Sequence, residues 1–269
     1  PLFQAEDGLR DSVNGLVGSE MCIRDSLCTD QLAMLIAAPG QLYSVSHVAL
    51  DPRASAMVDE ARSYRINHGL AEEIYLMKPD LVLTGSHTRR MTARMLERLG
   101  IRVEVFEPAT SLDDVRINIR RVGDALGQGR RAQQLLNDFD RRLADLSSVK
   151  HNGQRAAIYN ANGYTAGRDT LAGRILTAAG LTNIAVEAGY TEGGVMPLET
   201  LVLAEPDLVV TSHTYPGASR SEEILEHPVL QHLQSVSNHA AMSDHNWVCG
   251  TPYVLRALSG LNAIAGLAE

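Results

Sequence analysis

Two rhythms of apolar and polar positions alternate along this 269-residue chain. Short β-branched runs, "QLYSVS" (41–46), "DLVLT" (80–84) and "RVEVF" (102–106), predict strands. Between them, "AEEIYLM" (71–77) and "MTARMLERLG" (91–100) place apolar residues at helical spacing, the second closed by Gly100. Strands alternating with helices predict parallel βαβ units and hence an α/β fold. "SLDDVRINIRRVGDALG" (111–127) predicts a helix with Ser111 as N-cap and Asp113 and Asp114 in its first turn, where the dipole favours acids. A longer helix follows from about Arg130 to Leu146. Its residues Ala132, Leu135, Leu136, Phe139, Leu143 and Leu146 form one apolar stripe, while Arg130, Arg131, Asp138, Arg141 and Arg142 lie off it. "RAAIYNA", from Arg155, opens a second α/β region, so the long helix reads as a spacer fixing the orientation of two regions.

An internal comparison strengthens the division into two lobes. "EEIYLMKPDLVLTGSHT", beginning at Glu72, and "ETLVLAEPDLVVTSHTY", beginning at Glu199, share a frame at a constant offset of 127 residues. In both, a Glu stands seven residues before a Pro, and Pro-Asp-Leu-Val feeds a strand that ends in Thr and then Ser-His-Thr. Pro79 and Pro206 each stop a helix, which any α/β protein needs. The recurrence at domain-sized separation predicts two lobes of similar construction.

Residues 1–26 fit neither rhythm, because Gly8, Gly15 and Gly18 interrupt every window long enough for an amphipathic face. Scattered acids exclude a secretory signal. "QAEDGLRD" (4–11) resembles a translated flow-cell sequencing adapter, with Leu9 where the oligonucleotide encodes isoleucine. "LVGSEMCIRD" (16–25) resembles a translated transposase adapter. The segment 1–26 is therefore read as non-native and adapter-derived, in the place of a lost leader and first strand. A strand drawn from "MCIRDS" would be accommodation rather than evolved pairing. The expected domains are an N-terminal α/β lobe at 27–128, a rigid linker helix at 129–150 and a C-terminal α/β lobe at 151–269.

Without the five acids and two bases of that segment, the formal charge moves from -8 to -5. No basic stripe suits a phosphate backbone, so no nucleic-acid partner is expected. No run approaches the roughly 18 apolar residues that span a bilayer. Cys22 belongs to the foreign segment, leaving Cys28 and Cys249 as two thiols or one bridge.

Open α/β sheets bind ligands beyond the carboxyl ends of their strands, which makes the residues after each strand the candidates. The first lobe offers His47 and Asp51, Ser86 and His87, Arg89 and Arg90, and Glu107. The second offers Asn160, Tyr164, Arg168, His213, Tyr215, Trp247 and Tyr253. His47, His87 and His213 are also candidate metal ligands. Each has a plainer reading: a loop His is commonly solvated, an Arg before a helix exposed, and Trp247 and Tyr253 suit packing under the terminal helix as well as ligand stacking. Metalloprotease, nucleophile-elbow, phosphate-loop and zinc-cysteine motifs are absent.

"LCTDQLAMLIAAPGQLYSVSHVALDP", "GLAEEIYLMKPDLVLTGS", the long mid-chain helix and "GGVMPLETLVLAEPDLVVTS" together resemble the substrate-binding proteins of ABC importers for iron-siderophores, cobalamin and haem. The resemblance covers essentially all of 27–269. It implies two doubly wound lobes joined by a single long α-helix, a metal-chelate ligand between them, a periplasmic location, no cofactor, no enzymatic activity and a monomeric protein. It also implies docking to the transmembrane subunits of an ABC permease through one exposed Glu per lobe, at positions matching Glu72 and Glu199, with Glu73 beside Glu72 leaving that carboxylate open. Arg53, Arg89, Arg90 and Arg168 suit a ferric siderophore, ranked ahead of haem, while cobalamin would prefer more aromatic walls. In an oxidising compartment, Cys28 and Cys249 are a candidate disulfide across the cleft. The rival reading is a two-lobed α/β enzyme using a His and a carboxylate as acid and base.

Overall fold

The computed structural model describes residues 22–24, 27–86, 90–149, 153–213 and 220–266. The first half runs β1 (Cys22–Arg24), α1 (Leu27–Ile36), β2 (Ser44–Ser46), α2 (Val58–Ala61), β3 (Arg65–Asn67), α3 (Ala71–Leu76), β4 (Leu81–Gly85), α4 (Arg90–Arg98) and β5 (Arg102–Phe106). β4 pairs in parallel with β1 on one side and β5 on the other, β2 pairs in parallel with β3, and β1 lies against β2. Leu81 to Thr84 are buried without alternation, as expected of a strand covered on both faces. Of "QLYSVS", only Ser44–Ser46 is strand, because Gln41 closes the preceding turn by bonding its own side chain to Ala38 N–H. β1 consists of the adapter-like residues, which pair as Cys22 opposite Leu81 and Ile23 opposite Val82.

α5 (Leu112–Ala125) and α6 (Gly129–Ser147) follow. Ser111 and Asp114 form a reciprocal capping box at the start of α5, and Thr110 adds two further hydrogen bonds to the Asp114 carboxylate. Burial works against the Asp114 charge, yet the hydrogen bonds from Thr110 and Ser111 outweigh it and hold the carboxyl below its ordinary pKa. α6 buries Ala132, Leu136, Phe139 and Leu143, with Leu135 and Leu146 half-buried beside them. It is no free-standing spacer, since this stripe packs against α5.

The second half runs β6 (Arg155–Ile158), β7 (Tyr164–Ala166), α7 (Leu171–Ala178), β8 (Thr182–Asn183), α8 (Ile184–Glu187), β9 (Gly193–Val195), α9 (Leu198–Leu203), β10 (Leu208–Ser212), α10 (Pro228–Val236), β11 (Asn238–Met242) and α11 (Val254–Ala265). Its parallel sheet has the order β11-β10-β6-β8, and β7 and β9 form a separate antiparallel pair. α11 packs on α6, α7 and β11.

The repeat appears in three dimensions. Ile74 and Leu201, offset by 127 residues, are both fully buried, whereas Leu76 and Leu203 at the matching later position are 78% and 83% exposed. Before each proline, Lys78 and Glu205 adopt left-handed backbone, with φ of 51° and 46°. Such φ values cost a non-glycine residue about 1–2 kcal/mol, so the same strained exit from helix to strand is built twice.

One buried residue of α1 stands out energetically. Gln31 has no exposed surface, and neither atom of its amide meets a partner among the described residues. Orphaned buried polar groups cost about 1–3 kcal/mol each. Gln31→Met, unbranched like glutamine, is expected to raise the melting temperature by about 2–4 °C or more. A fall of that size in a thermal melt would show that the amide is satisfied.

Candidate functional site

The two lobes meet along a seam that their chain order builds directly. α5 lies between α1 of the first lobe and α7 of the second, and α6 touches both α1 and α11. One continuous apolar cluster therefore includes Leu32 and Ile36 of α1, Val115 and Ile119 of α5, Phe139 of α6, Ile175 of α7 and Leu258 of α11. Two glycines allow the close approach. A methyl group at Gly123 would overlap Ala132 where α5 crosses α6, and one at Gly250 would overlap Ala109 from the other lobe. Beside Gly250, Cys28 at the start of α1 and Cys249 are joined as a disulfide with Cα atoms 5.0 Å apart. His245 Nδ1 also donates to the carbonyl of Pro52 at 3.2 Å, across the same divide.

Immediately above the bridge lies a cavity of about 100 Å³. Cys28, Ser86, Phe106 and Glu107 line it from the first lobe, Val248 and Gly250 from the second. Ser86 follows β4 and is buried, with its hydroxyl donating to Glu107 at 2.5 Å and its N–H to Phe106 O at 2.9 Å. The tips of β4 and β5 are thereby tied together at the cleft floor.

Further out on the first lobe, His47 follows β2 and His68 follows β3. Both are exposed and their rings stack, 5.3 Å between centroids and 22° between planes. Glu73 accepts the His68 backbone N–H at 2.8 Å, and its other oxygen lies 3.6 Å from His68 Nδ1. Glu72, its neighbour in the first turn of α3, is exposed and makes no hydrogen bond or ion pair among the described residues. Glu199 is likewise exposed in the first turn of α9, beside a groove lined by Val202, Leu203, Ile224 and Val229.

On the second lobe, Asn160 holds the tips of β6 and β10 together by accepting Ser212 N–H at 2.9 Å. Tyr164 is 44% exposed and lies over Gly193, where any side chain would overlap its ring. Arg168 is exposed, 3.8 Å from the Asp169 carboxylate. His213 is exposed at the tip of β10. Burial pushes the nearby Asp244 carboxyl upward, with Glu222 adding to the rise and a hydrogen bond from Trp247 and the neighbouring imidazoles of His213 and His245 opposing it.

His87, Arg89 and Tyr215, together with the side chain of Arg90, lie outside the described residues. Trp247 does not serve as an exposed ligand-stacking ring: it is 5% exposed inside the shared core, where its indole bonds Asp244. Tyr253 sits in the seam with the Arg256 guanidinium 4.3 Å from its ring centre, and burial, then the Glu60 carboxylate of the first lobe, push its phenol upward. Sequence patterning passed over His68, because "RIN" is too short to show a period and one loop His carries no signal alone. Of the two adjacent carboxylates, Glu73 is engaged by His68, while Glu72, at the constant offset of 127 residues from Glu199, is exposed.

A family model described as "Periplasmic binding protein" matches residues 26–245. A cobalamin-binding protein of Halobacterium salinarum is 32% identical over 145 residues, which is 52% of this chain and 39% of that protein. The chain thus spans about two fifths of the length of that curated relative. A periplasmic haem-binding protein of Roseiflexus sp. RS-1, solved in apo form, superposes with a TM-score of 0.75 at 20% identity, covering 92% of this chain and 100% of the other. An Fe3+-hydroxamate transport protein of Saccharomonospora viridis superposes with a TM-score of 0.70 at 21% identity, covering 92% and 93%. These two show a shared fold of two α/β lobes.

The bridge predicts a thiol count. The chain has three cysteines, so oxidised protein denatured without reductant should titrate one thiol per chain, from Cys22, and three after reduction. Cys28→Ser with Cys249→Ser should lower stability in urea by about 2–4 kcal/mol. Three thiols before reduction, in protein made in an oxidising compartment, would contradict the bridge.

Proposed function

This chain belongs to the periplasmic binding protein family, and we propose that it is the extracytoplasmic substrate-binding component of an ABC importer, holding a metal chelate between its lobes and delivering it to a membrane permease. The lobes in this reading are residues 27–128 and 151–269, with 129–150 as the helix that sets their orientation. The observation that carries the proposal is the cleft itself. Two parallel α/β sheets share one core at its floor, where Ser86 and Glu107 at the strand tips of the first lobe line a cavity that Val248 and Gly250 border from the second. Ligands of open parallel sheets sit beyond such tips. The interlobe disulfide supports a location outside the reducing cytoplasm.

The docking face is equally specific. Glu72 and Glu199 stand at equivalent places on the two lobes, each four residues before an exposed leucine, Leu76 or Leu203. A carboxylate flanked by an apolar side chain, presented twice, suits a permease that offers two equivalent basic sites. Rim carboxylates of this kind guide encounter and register more than they add affinity.

A panel of coloured chelates tests the binding role: one member should be retained in equilibrium dialysis and recovered chemically unchanged, and conversion to a new product would support an enzyme instead. Glu72→Ala with Glu199→Ala should leave chelate affinity unaltered while slowing association with the reconstituted permease by about 10-fold or more at low salt. Normal association of that double variant, measured by surface plasmon resonance, would remove these residues from the docking face.

A further inference from the structure

We propose that the Cys28–Cys249 bridge is a redox-active site. A small dithiol reaches Cys28 through the cavity at the cleft floor and opens the bridge in the folded protein, which releases the second-lobe wall of that cavity. This holds whichever ligand the cleft takes, because it concerns the bridge and the loop that carries it.

Access comes from the cavity. Cys28 lines it and is half-buried, whereas Cys249 is buried, so exchange begins at the Cys28 sulfur. Glu107 and Val248, on opposite walls of the same cavity, are both exposed, so solvent reaches it. The Glu107 carboxylate repels an anionic attacker, which slows the exchange without changing its end point.

The chemistry is thiol–disulfide exchange in two displacements. One thiolate of the dithiol attacks Cys28 Sγ, the Cys28–Cys249 bond breaks, and Cys249 leaves as a thiolate that takes up a proton. The second thiol of the reagent, deprotonated, attacks its own sulfur in the mixed disulfide and closes the reagent's internal disulfide. Cys28 then leaves as a thiolate. The chain gains two electrons and the dithiol loses two.

Opening the bridge spares the fold and frees a loop. The lobes remain joined by the apolar cluster of Leu32, Ile119, Phe139 and Leu258, which needs no cysteine. Cys249 lies in a loop that holds its own shape: Trp247 and Val248 donate to the Asp244 carbonyl at 3.1 and 2.9 Å, and Thr251 to the Cys249 carbonyl at 2.8 Å. Beside the bridge, this loop meets the first lobe through the His245 bond to the Pro52 carbonyl and the packing of Gly250 on Ala109. Val248 and Gly250, the two neighbours of Cys249, are the cavity wall on that side. The state of the bridge therefore sets how firmly one wall of the cleft floor is held. Trp247, the chain's one tryptophan, is buried two residues from Cys249 and reports on the loop.

The test treats the oxidised full chain with dithiothreitol, alkylates samples at intervals and maps Cys28 and Cys249 by mass spectrometry. The bridge should open at a rate that changes by less than about 2-fold in urea kept below the unfolding transition, while far-ultraviolet circular dichroism stays native. A rate that climbs about 10-fold or more over that range would show that exchange waits for unfolding, and would overturn the site. Opening should also raise acrylamide quenching of Trp247 by about 2-fold or more, and Cys28→Ser with Cys249→Ser should show the raised value with or without dithiothreitol. Unchanged quenching on reduction, or a double variant quenched no more than the oxidised parent, would overturn the release of the cavity wall. Neither failure touches the importer reading, which chelate binding tests separately.

Discussion

The seam between the lobes governs everything else in the molecule. Helices α1, α5, α6, α7 and α11 contribute to one apolar cluster, so separating the lobes would expose side chains such as Ile119, Phe139 and Leu258 that are essentially dry. Fully burying one aliphatic or aromatic side chain of this size is worth about 1.5–3 kcal/mol, and several would have to be uncovered together. Gly123 and Gly250 let the backbones approach at two points, and the Cys28–Cys249 bridge closes the seam covalently beside the second. For the proposed role, a cleft with such a floor would be largely formed before a ligand arrives. Less ordering is then required on binding, which favours affinity without large closure.

The seam also explains how residues far apart in the chain share one site. Cys28 and Cys249 are separated by 221 residues, yet they are bonded to each other, and Cys28 lines the cavity at the tips of β4 and β5. The order of the parallel sheets sends their strand tips to one edge, and at the seam Ser86 and Glu107 on such an edge meet Val248 and Gly250 of the other lobe across the cavity. The repeated helix-to-strand exit, with left-handed Lys78 and Glu205 before their prolines, places Glu72 and Glu199 at equivalent rims. In the proposed role, ligand capture and permease docking would be organised by the same architecture.

Much of this was legible in the sequence where burial imposes a period. The α6 stripe at Ala132, Leu136, Phe139 and Leu143, the N-cap at Ser111 and a strand within "DLVLT" are each dictated by local chemistry and were found as expected, while the reciprocal capping bond from Asp114 and the burial of both strand faces emerged from the structure. β7 and β9 were not legible, because Gly193 and Gly194 carry no strand signal of their own and instead leave room for the rings of Tyr164 and Tyr190. β11, "NHAAM", lacks the β-branched residues that mark a strand and owes its conformation to pairing with β10. At the site, patterning identifies which residues lie at strand tips but not how deeply they sink. Trp247 accordingly lies in the core, while His68 gains its partner only through the β2–β3 ladder.

The most direct test of the shared core is differential scanning calorimetry of the oxidised protein. Two lobes built around one apolar cluster should unfold in a single endotherm whose calorimetric and van't Hoff enthalpies agree. Two resolved transitions, each carrying the heat of one lobe, would contradict the account.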